Sequence, residues 1–120
     1  MRRVLDTNVA LYLLGGRLAE HLPEGEYSIS VITEMELLSY PDLDEAGERA
    51  IRNLLADLEI VGLTPEVKER AIGLRRSHMI KLPDAIIAAT ALALGAEILS
   101  CDARLGRIPG LVCRAPALKG

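Results

Sequence analysis

The chain has 120 residues, half of them apolar, enough for one domain with a real core and too apolar for a disordered segment. Three Tyr, no Phe and no Trp leave a core of Leu, Ile, Val and Ala and exclude a single-strand binder built on aromatic stacking platforms. The net charge of −3 hides an asymmetry: residues 1–60 carry five basic and twelve acidic groups, residues 61–120 nine basic and five acidic, which suggests an acidic pocket beside a basic flank. No apolar run reaches the roughly 18 residues of a membrane span, and Met1 to Asp6 holds no signal-peptide core, so a cytoplasmic protein is expected.

In chain order, Arg2 to Asp6 reads as a first strand. Thr7 and Asn8 offer cap chemistry to a helix through Val9, Leu11, Leu13 and Leu14 that Gly15-Gly16 stops. A second short helix is expected over about residues 17–21. Tyr27 to Ile32 is a β-branched strand, followed by a helix from Thr33 to about Tyr40, where Pro41 interrupts it. Asp42 or Asp44 caps the next helix, whose Ala46, Ala50, Ile51, Leu54, Leu55 and Leu58 keep helical spacing.

Glu59 to Leu63 is a short third strand. Thr64-Pro65-Glu66 combines a cap residue, Pro at the first helical position and an acid in the first turn; the helix it opens ends near His78. Pro83 and Asp84 start a helix rich in Ala, Ile and Leu, expected to be buried on most sides and closed by Gly95. Ile98 to Ser100 is a fourth strand and Leu111 to Arg114 a fifth. Strands alternating with helices predict a three-layer α/β/α domain spanning residues 1–120, with a central parallel sheet of four to five strands.

In such a sheet ligands bind at the carboxyl ends of the strands. Four acids map to that edge: Asp6 at the end of strand one, Glu36 early in the helix after strand two, Asp84 at the start of the buried helix, and Asp102 just past strand four. Clustered carboxylates raise one another's pKa unless a cation compensates. Oxygen ligands without His or Cys favour Mg2+ or Mn2+ over Zn2+, and the natural chemistry is metal-assisted attack of water on a phosphodiester. Singly, each acid has a plainer role as a helix-start charge or turn residue. Glu34 competes with Glu36; the two point roughly 200° apart on a helix, so only one can line the site, and periodicity does not choose between them.

The segments Val4-Leu5-Asp6-Thr7-Asn8, Ser30 to Leu37, Lys81 to Thr90 and Leu99-Ser100-Cys101-Asp102 together resemble a PIN domain, in particular the VapC-type ribonuclease toxins of prokaryotic toxin–antitoxin pairs. The resemblance selects Glu36, three residues after Thr33, and implies that Asp6, Glu36, Asp84 and Asp102 bind the metal. It also implies that Asn8 orients Asp6 and that Ser100 fills a position more usually held by Thr. One departure follows Asp102. Many members carry an aromatic residue shortly after that acid, whereas this chain reads Ala103-Arg104-Leu105-Gly106, with Leu105 available to pack in its place. The resemblance further implies an RNA substrate, a homodimer, and a small antitoxin whose arginine reaches the carboxylates.

The leading expectation is therefore a metal-dependent endoribonuclease. A non-catalytic PIN-like module that binds RNA or protein is the alternative, drawing on the altered segment after Asp102 and the basic stretch Lys68, Arg70, Arg75, Arg76, His78 and Lys81. That stretch reads either as a solvated helix face or as a phosphate-facing patch. A phosphotransfer domain with Asp6 as phosphoacceptor leaves Glu36 and Asp84 without a common role. His21 and His78 read as surface or packing residues, and Cys101 and Cys113, without metal spacing, as small buried or semi-buried side chains.

Overall fold

Val4-Leu5 and Ile98-Leu99 are buried on both faces of a sheet, the pattern of parallel strands covered by helices on either side. The computed structural model describes residues 1–120. Its elements are β1 (Arg2–Leu5), α1 (Thr7–Leu14), β2 (Glu26–Ser30), α2 (Val31–Leu38), α3 (Glu45–Ala56), β3 (Glu59–Val61), α4 (Pro65–Ser77), α5 (Leu82–Leu94), β4 (Glu97–Leu99) and β5 (Cys113–Arg114). A 3-10 turn at Ala103–Arg107 lies between the last two strands. The sheet order is β3-β2-β1-β4-β5, with every neighbouring pair parallel.

Alternation along the strands divides the core in two. Val4 and Ile98 face α4 and α5, joining Val67, Ala71, Leu74, Ile86 and Ile87. Their chain neighbours Leu5 and Leu99, with Ile29, face the other way onto Val9, Leu37, Ile51 and Leu55 of α1, α2 and α3. This is the expected three-layer α/β/α arrangement, with five strands. Ala85 to Ala91 of α5 are all buried, and the Thr90 hydroxyl among them donates to the Ile86 carbonyl at 2.8 Å, which removes the cost of an unpaired polar group. Gly95 ends α5 with φ 63°, a left-handed residue for which glycine pays no Cβ penalty.

Several boundaries differ from the sequence reading. No helix forms over residues 17–21. Gly16 turns the chain with φ 68°, and the segment instead bonds the C-terminal tail through Ala19 N–H to the Ala117 carbonyl and Lys119 N–H to the Arg17 carbonyl, both at 2.9 Å. Backbone groups satisfied that way leave nothing to drive helix formation. β2 stops at Ser30 rather than Ile32, because the Ser30 side chain accepts the Ile32 N–H at 3.1 Å and starts α2 two residues before Thr33. β1 ends at Leu5, β4 at Leu99, and the fifth strand is only Cys113–Arg114. Cys113 is half-buried as expected, but Cys101 is exposed.

Candidate active site at the carboxyl edge of the sheet

Asp6 follows β1 and serves as the N-cap of α1, its Oδ1 accepting the Thr7 N–H at 2.7 Å. Its own N–H donates to the Leu99 carbonyl at 3.0 Å, so the acid is pinned where β1 leaves β4. Only 5 % of the residue is exposed. Its Oδ2 accepts the Ser100 hydroxyl at 2.6 Å and, at the longer distance of 3.4 Å, the Asn8 side-chain amide. The other end of Asn8 accepts the Cys101 N–H at 3.4 Å, which ties the β1–α1 turn to the segment leaving β4.

Ser100 also accepts the Asp102 N–H at 3.0 Å. One hydroxyl thus donates to one acid while holding the backbone of a second. Asp102 caps the 3-10 turn by accepting the Arg104 N–H at 3.0 Å, and the Leu105 N–H donates to the Asp102 carbonyl at 3.2 Å. Leu105, 1 % exposed, sits in the α4–α5 core. The position that lacks the expected aromatic is therefore filled, and the loop carrying Asp102 is anchored.

Asp84 lies in the first turn of α5, where a negative charge complements the helix dipole. Glu36 reaches the site from α2 through a threonine: the Thr7 hydroxyl donates to Glu36 Oε1 at 2.7 Å. Thr7 and Thr33 hydroxyl oxygens are 3.0 Å apart; since the single Thr7 proton goes to Glu36, Thr33 is the donor there. Glu34, two residues away, takes no part in this network.

Charge separates the acids. Burial pushes the Asp6 carboxyl above its ordinary range, and the negative charges of Asp84 and Asp102 push it further, against the hydrogen bonds from Ser100 and Thr7. Asp84 is raised by burial and then by Asp102, while Arg104 and Lys81 pull it back. Asp102 is lowered, chiefly by its hydrogen bonds from the Arg104 guanidinium. Asp6 thus feels the fields of Asp84 and Asp102, and Asp84 that of Asp102.

As the side chains stand, no three acidic, imidazole or thiol groups are close enough together to hold an ion. The donor chemistry nevertheless fits a hard dication: carboxylate oxygens alone, mutually repelling, one of them nearly buried. Burial, then the charge of Asp6, raises the Cys101 thiol, opposite to what a thiolate nucleophile needs. A separate cavity of about 400 Å³ at the amino edge is lined in part by Arg3, His21, Glu97 and Arg114. Glu97 there accepts from Arg3 at 2.7 Å and Arg114 at 2.9 Å, so these three charged groups already satisfy one another.

The sequence reading missed Thr7, Thr33 and Arg104. Thr7 follows Asp6 directly and Thr33 shares a helical face with Glu36, a signal present in the spacing. Of the basic stretch, Lys68, Arg70, Arg75, Arg76 and Lys81 are exposed and His78 is half-buried. Arg70 pairs with Glu66 one turn earlier at 2.9 Å, as on a solvated helix face.

Residues 3–111 match the family model of the PIN domain. Among solved structures, the chain is similar to a toxin–antitoxin complex from Klebsiella pneumoniae, with 32 % identity, a TM-score of 0.77, and 92 % of this chain and 95 % of that one covered. It is also similar to the VapBC2 complex of Rickettsia felis bound to a promoter DNA fragment, with 22 % identity, a TM-score of 0.81, and coverage of 96 % and 98 %. VapBC-1 of nontypeable Haemophilus influenzae matches with 23 % identity, a TM-score of 0.75, and coverage of 96 % and 98 %. A comparison with curated proteins gave no match.

Proposed function

The chain belongs to the PIN domain family, and from that premise we propose that it is a VapC-type toxin of a toxin–antitoxin pair, acting as a metal-dependent endoribonuclease. The observation that carries this reading is the buried Asp6 carboxylate, held by Ser100 and Thr7 within the field of Asp84 and Asp102.

Asp6, Glu36, Asp84 and Asp102 would hold Mg2+ or Mn2+. Once bound, such an ion generates a nucleophile from water and stabilises charge on a phosphodiester. The chain's own residues prepare the site for it. Ser100 and Asn8 fix the orientation of Asp6; Thr7 fixes Glu36; the buried body of α5 fixes the turn that bears Asp84. Locked ligand orientation is what supporting hydrogen bonds contribute to a metal site. α4 ends at Ser77 and α5 begins at Leu82, so the basic end of α4 lies on the Asp84 side. There the exposed Arg75, Arg76 and Lys81 would meet an RNA backbone.

Two partners follow from the same reading. An antitoxin would cover the acidic edge and present an arginine to it; α1 and α2, which pack on each other, carry the exposed apolar Leu11 and Met35 close to that edge. The second partner is another copy of the chain. No helix is long and apolar enough to cross a membrane, which suits a cytoplasmic toxin.

The test is incubation of purified protein, free of any antitoxin, with structured RNAs and Mg2+ or Mn2+. Cleavage should appear only with the metal and vanish in Asp6→Asn. Cleavage that ignores the metal, or survives Asp6→Asn, overturns the reading. RNA retention without cleavage or Mn2+ uptake would identify a binding module instead.

A further inference from the structure

Arg104 projects from the 3-10 turn back onto the acids. Its guanidinium Nε lies 3.0 and 3.2 Å from the two oxygens of Asp102, and its Nη2 lies 2.7 Å from Asp102 Oδ2. The same Nη2 stands 3.9 Å from Asp84 Oδ2. A single cation thus bridges two carboxylates from different elements, one capping the 3-10 turn after β4 and one at the start of α5. The guanidinium reaches both oxygens of Asp102, the kind of charge-assisted contact a carboxylate holds most strongly.

The backbone on either side of this arm is held in the fold, while the arm itself is open to solvent. The Arg104 N–H is bonded to Asp102 and the next residue, Leu105, is buried. The Arg104 side chain itself is 55 % exposed, long and rich in rotamers, so it can leave the carboxylates without disturbing the turn. No other arginine contacts these acids.

Resting on the metal-dependent reading above, we propose that Arg104 is a built-in occupant of the cation site: it neutralises Asp102 and Asp84 while the metal is absent and must withdraw for a dication to bind. The guanidinium and the ion claim the same oxygen lone pairs, so every increment of affinity for one is a cost to the other. Arg104 keeps the repelling acids together in the empty site and also weakens the ion's hold on them. On withdrawal it is left at the rim of the site as a free positive charge.

The experiment is calorimetric titration of Mn2+ into metal-free wild-type protein, Arg104→Gln and Arg104→Lys. Displacing an exposed ion pair should cost only a modest factor, so Arg104→Gln should bind Mn2+ about three- to fivefold tighter. Arg104→Lys, which keeps the charge and loses the fork, should fall between. Thermal denaturation gives a second readout. Arg104→Gln should melt lower than wild type without metal and gain more from saturating Mn2+. Mn2+ affinity in Arg104→Gln that equals or falls below wild type, while wild type binds Mn2+ and cleaves RNA, overturns the role of Arg104 alone. Weaker RNA binding at unchanged Mn2+ affinity would make Arg104 a phosphate contact instead. Wild-type protein that neither binds Mn2+ nor cleaves RNA removes the metal-dependent reading and this one with it.

Discussion

Ser100 and Asp6, 94 positions apart in the chain, meet in a 2.6 Å hydrogen bond in which the hydroxyl donates to a nearly buried carboxylate. The bond offsets part of the cost of burying Asp6, but burial and the neighbouring acids still hold its carboxyl above the ordinary range. A carboxyl whose folded pKa exceeds its unfolded value binds more protons in the folded state across the interval between the two. Stability of the metal-free protein therefore falls as pH rises through that interval, which begins near about pH 4. Asp84 acts in the same direction.

Asp6→Asn removes that destabilising charge and keeps an acceptor for the cap of α1. Without metal it should melt at or above the wild-type temperature at pH 7, with a flatter dependence on pH above the carboxylate range. RNA cleavage should fall by at least about 100-fold, beyond the usual effect of disturbing a supporting residue. Melting curves from pH 4 to 8 check the first part; a neutral-pH loss of stability in Asp6→Asn would contradict it.

Glu36 and Glu34 are two residues apart on α2, and only Glu36 accepts from Thr7. Glu36→Gln should lower cleavage by about 10- to 100-fold or more, and Thr7→Val should lower it within that range by freeing the Glu36 side chain. Glu34→Gln should stay within about twofold of wild type. Parallel cleavage assays decide, and equal losses for the two glutamines would place Glu36 outside the site.

Leu105 fills the place where an aromatic residue was expected. Leu105→Ala leaves a gap in the α4–α5 core and should cost about 2–5 kcal/mol in urea denaturation. Because Leu105 anchors the turn that Asp102 caps, Mn2+ affinity should fall with it. Affinity unchanged under conditions where the variant stays folded would show that the turn stands without its anchor.

Glu97 begins β4 opposite Arg3 of β1. Burial alone would raise its carboxyl, but the hydrogen bonds of Arg114 and Arg3 overcome this and hold it below the ordinary range. The sign is then the reverse of that at Asp6: its contribution is present above the unfolded pKa and lost as pH falls through the folded one. Glu97→Ala should melt several degrees below wild type at pH 7 and converge on it as the pH falls below the carboxylate range. A constant difference at every pH would assign the loss to packing rather than charge.

The architecture was legible because strand and helix periods alternate cleanly and because Thr64-Pro65, Pro83 and Gly95 punctuate the chain where the structure turns. The placement of Asp6, Glu36, Asp84 and Asp102 along one sheet edge follows from that same alternation. What failed was local competition. Residues 17–21 have no strong breaker of helix, yet the tail from Ala117 to Lys119 captures their backbone, a contact between chain ends that no local window contains. Ser30 and Thr33 are both good caps; Ser30 takes the place by accepting the Ile32 N–H, while the Thr33 hydroxyl pairs with Thr7. Arg104 went unnoticed because it sits in a segment read for the aromatic it lacks. The fork it makes with Asp102, two residues away, depends on the 3-10 turn rather than on spacing.

β4 has only three residues, with Glu97 clamped by two arginines at one end and Ser100 gripping Asp6 just past the other. At roughly 3.3 Å per residue, about 10 Å separates clamp from grip. The strand is in effect a ruler: its length sets how far Asp102 protrudes beyond the sheet. Side chains in the loop beyond it can drift, as the loss of the aromatic illustrates, while one residue added to or removed from β4 would swap Ile98 and Leu99 between the two cores and carry Asp102 out of reach of its partners.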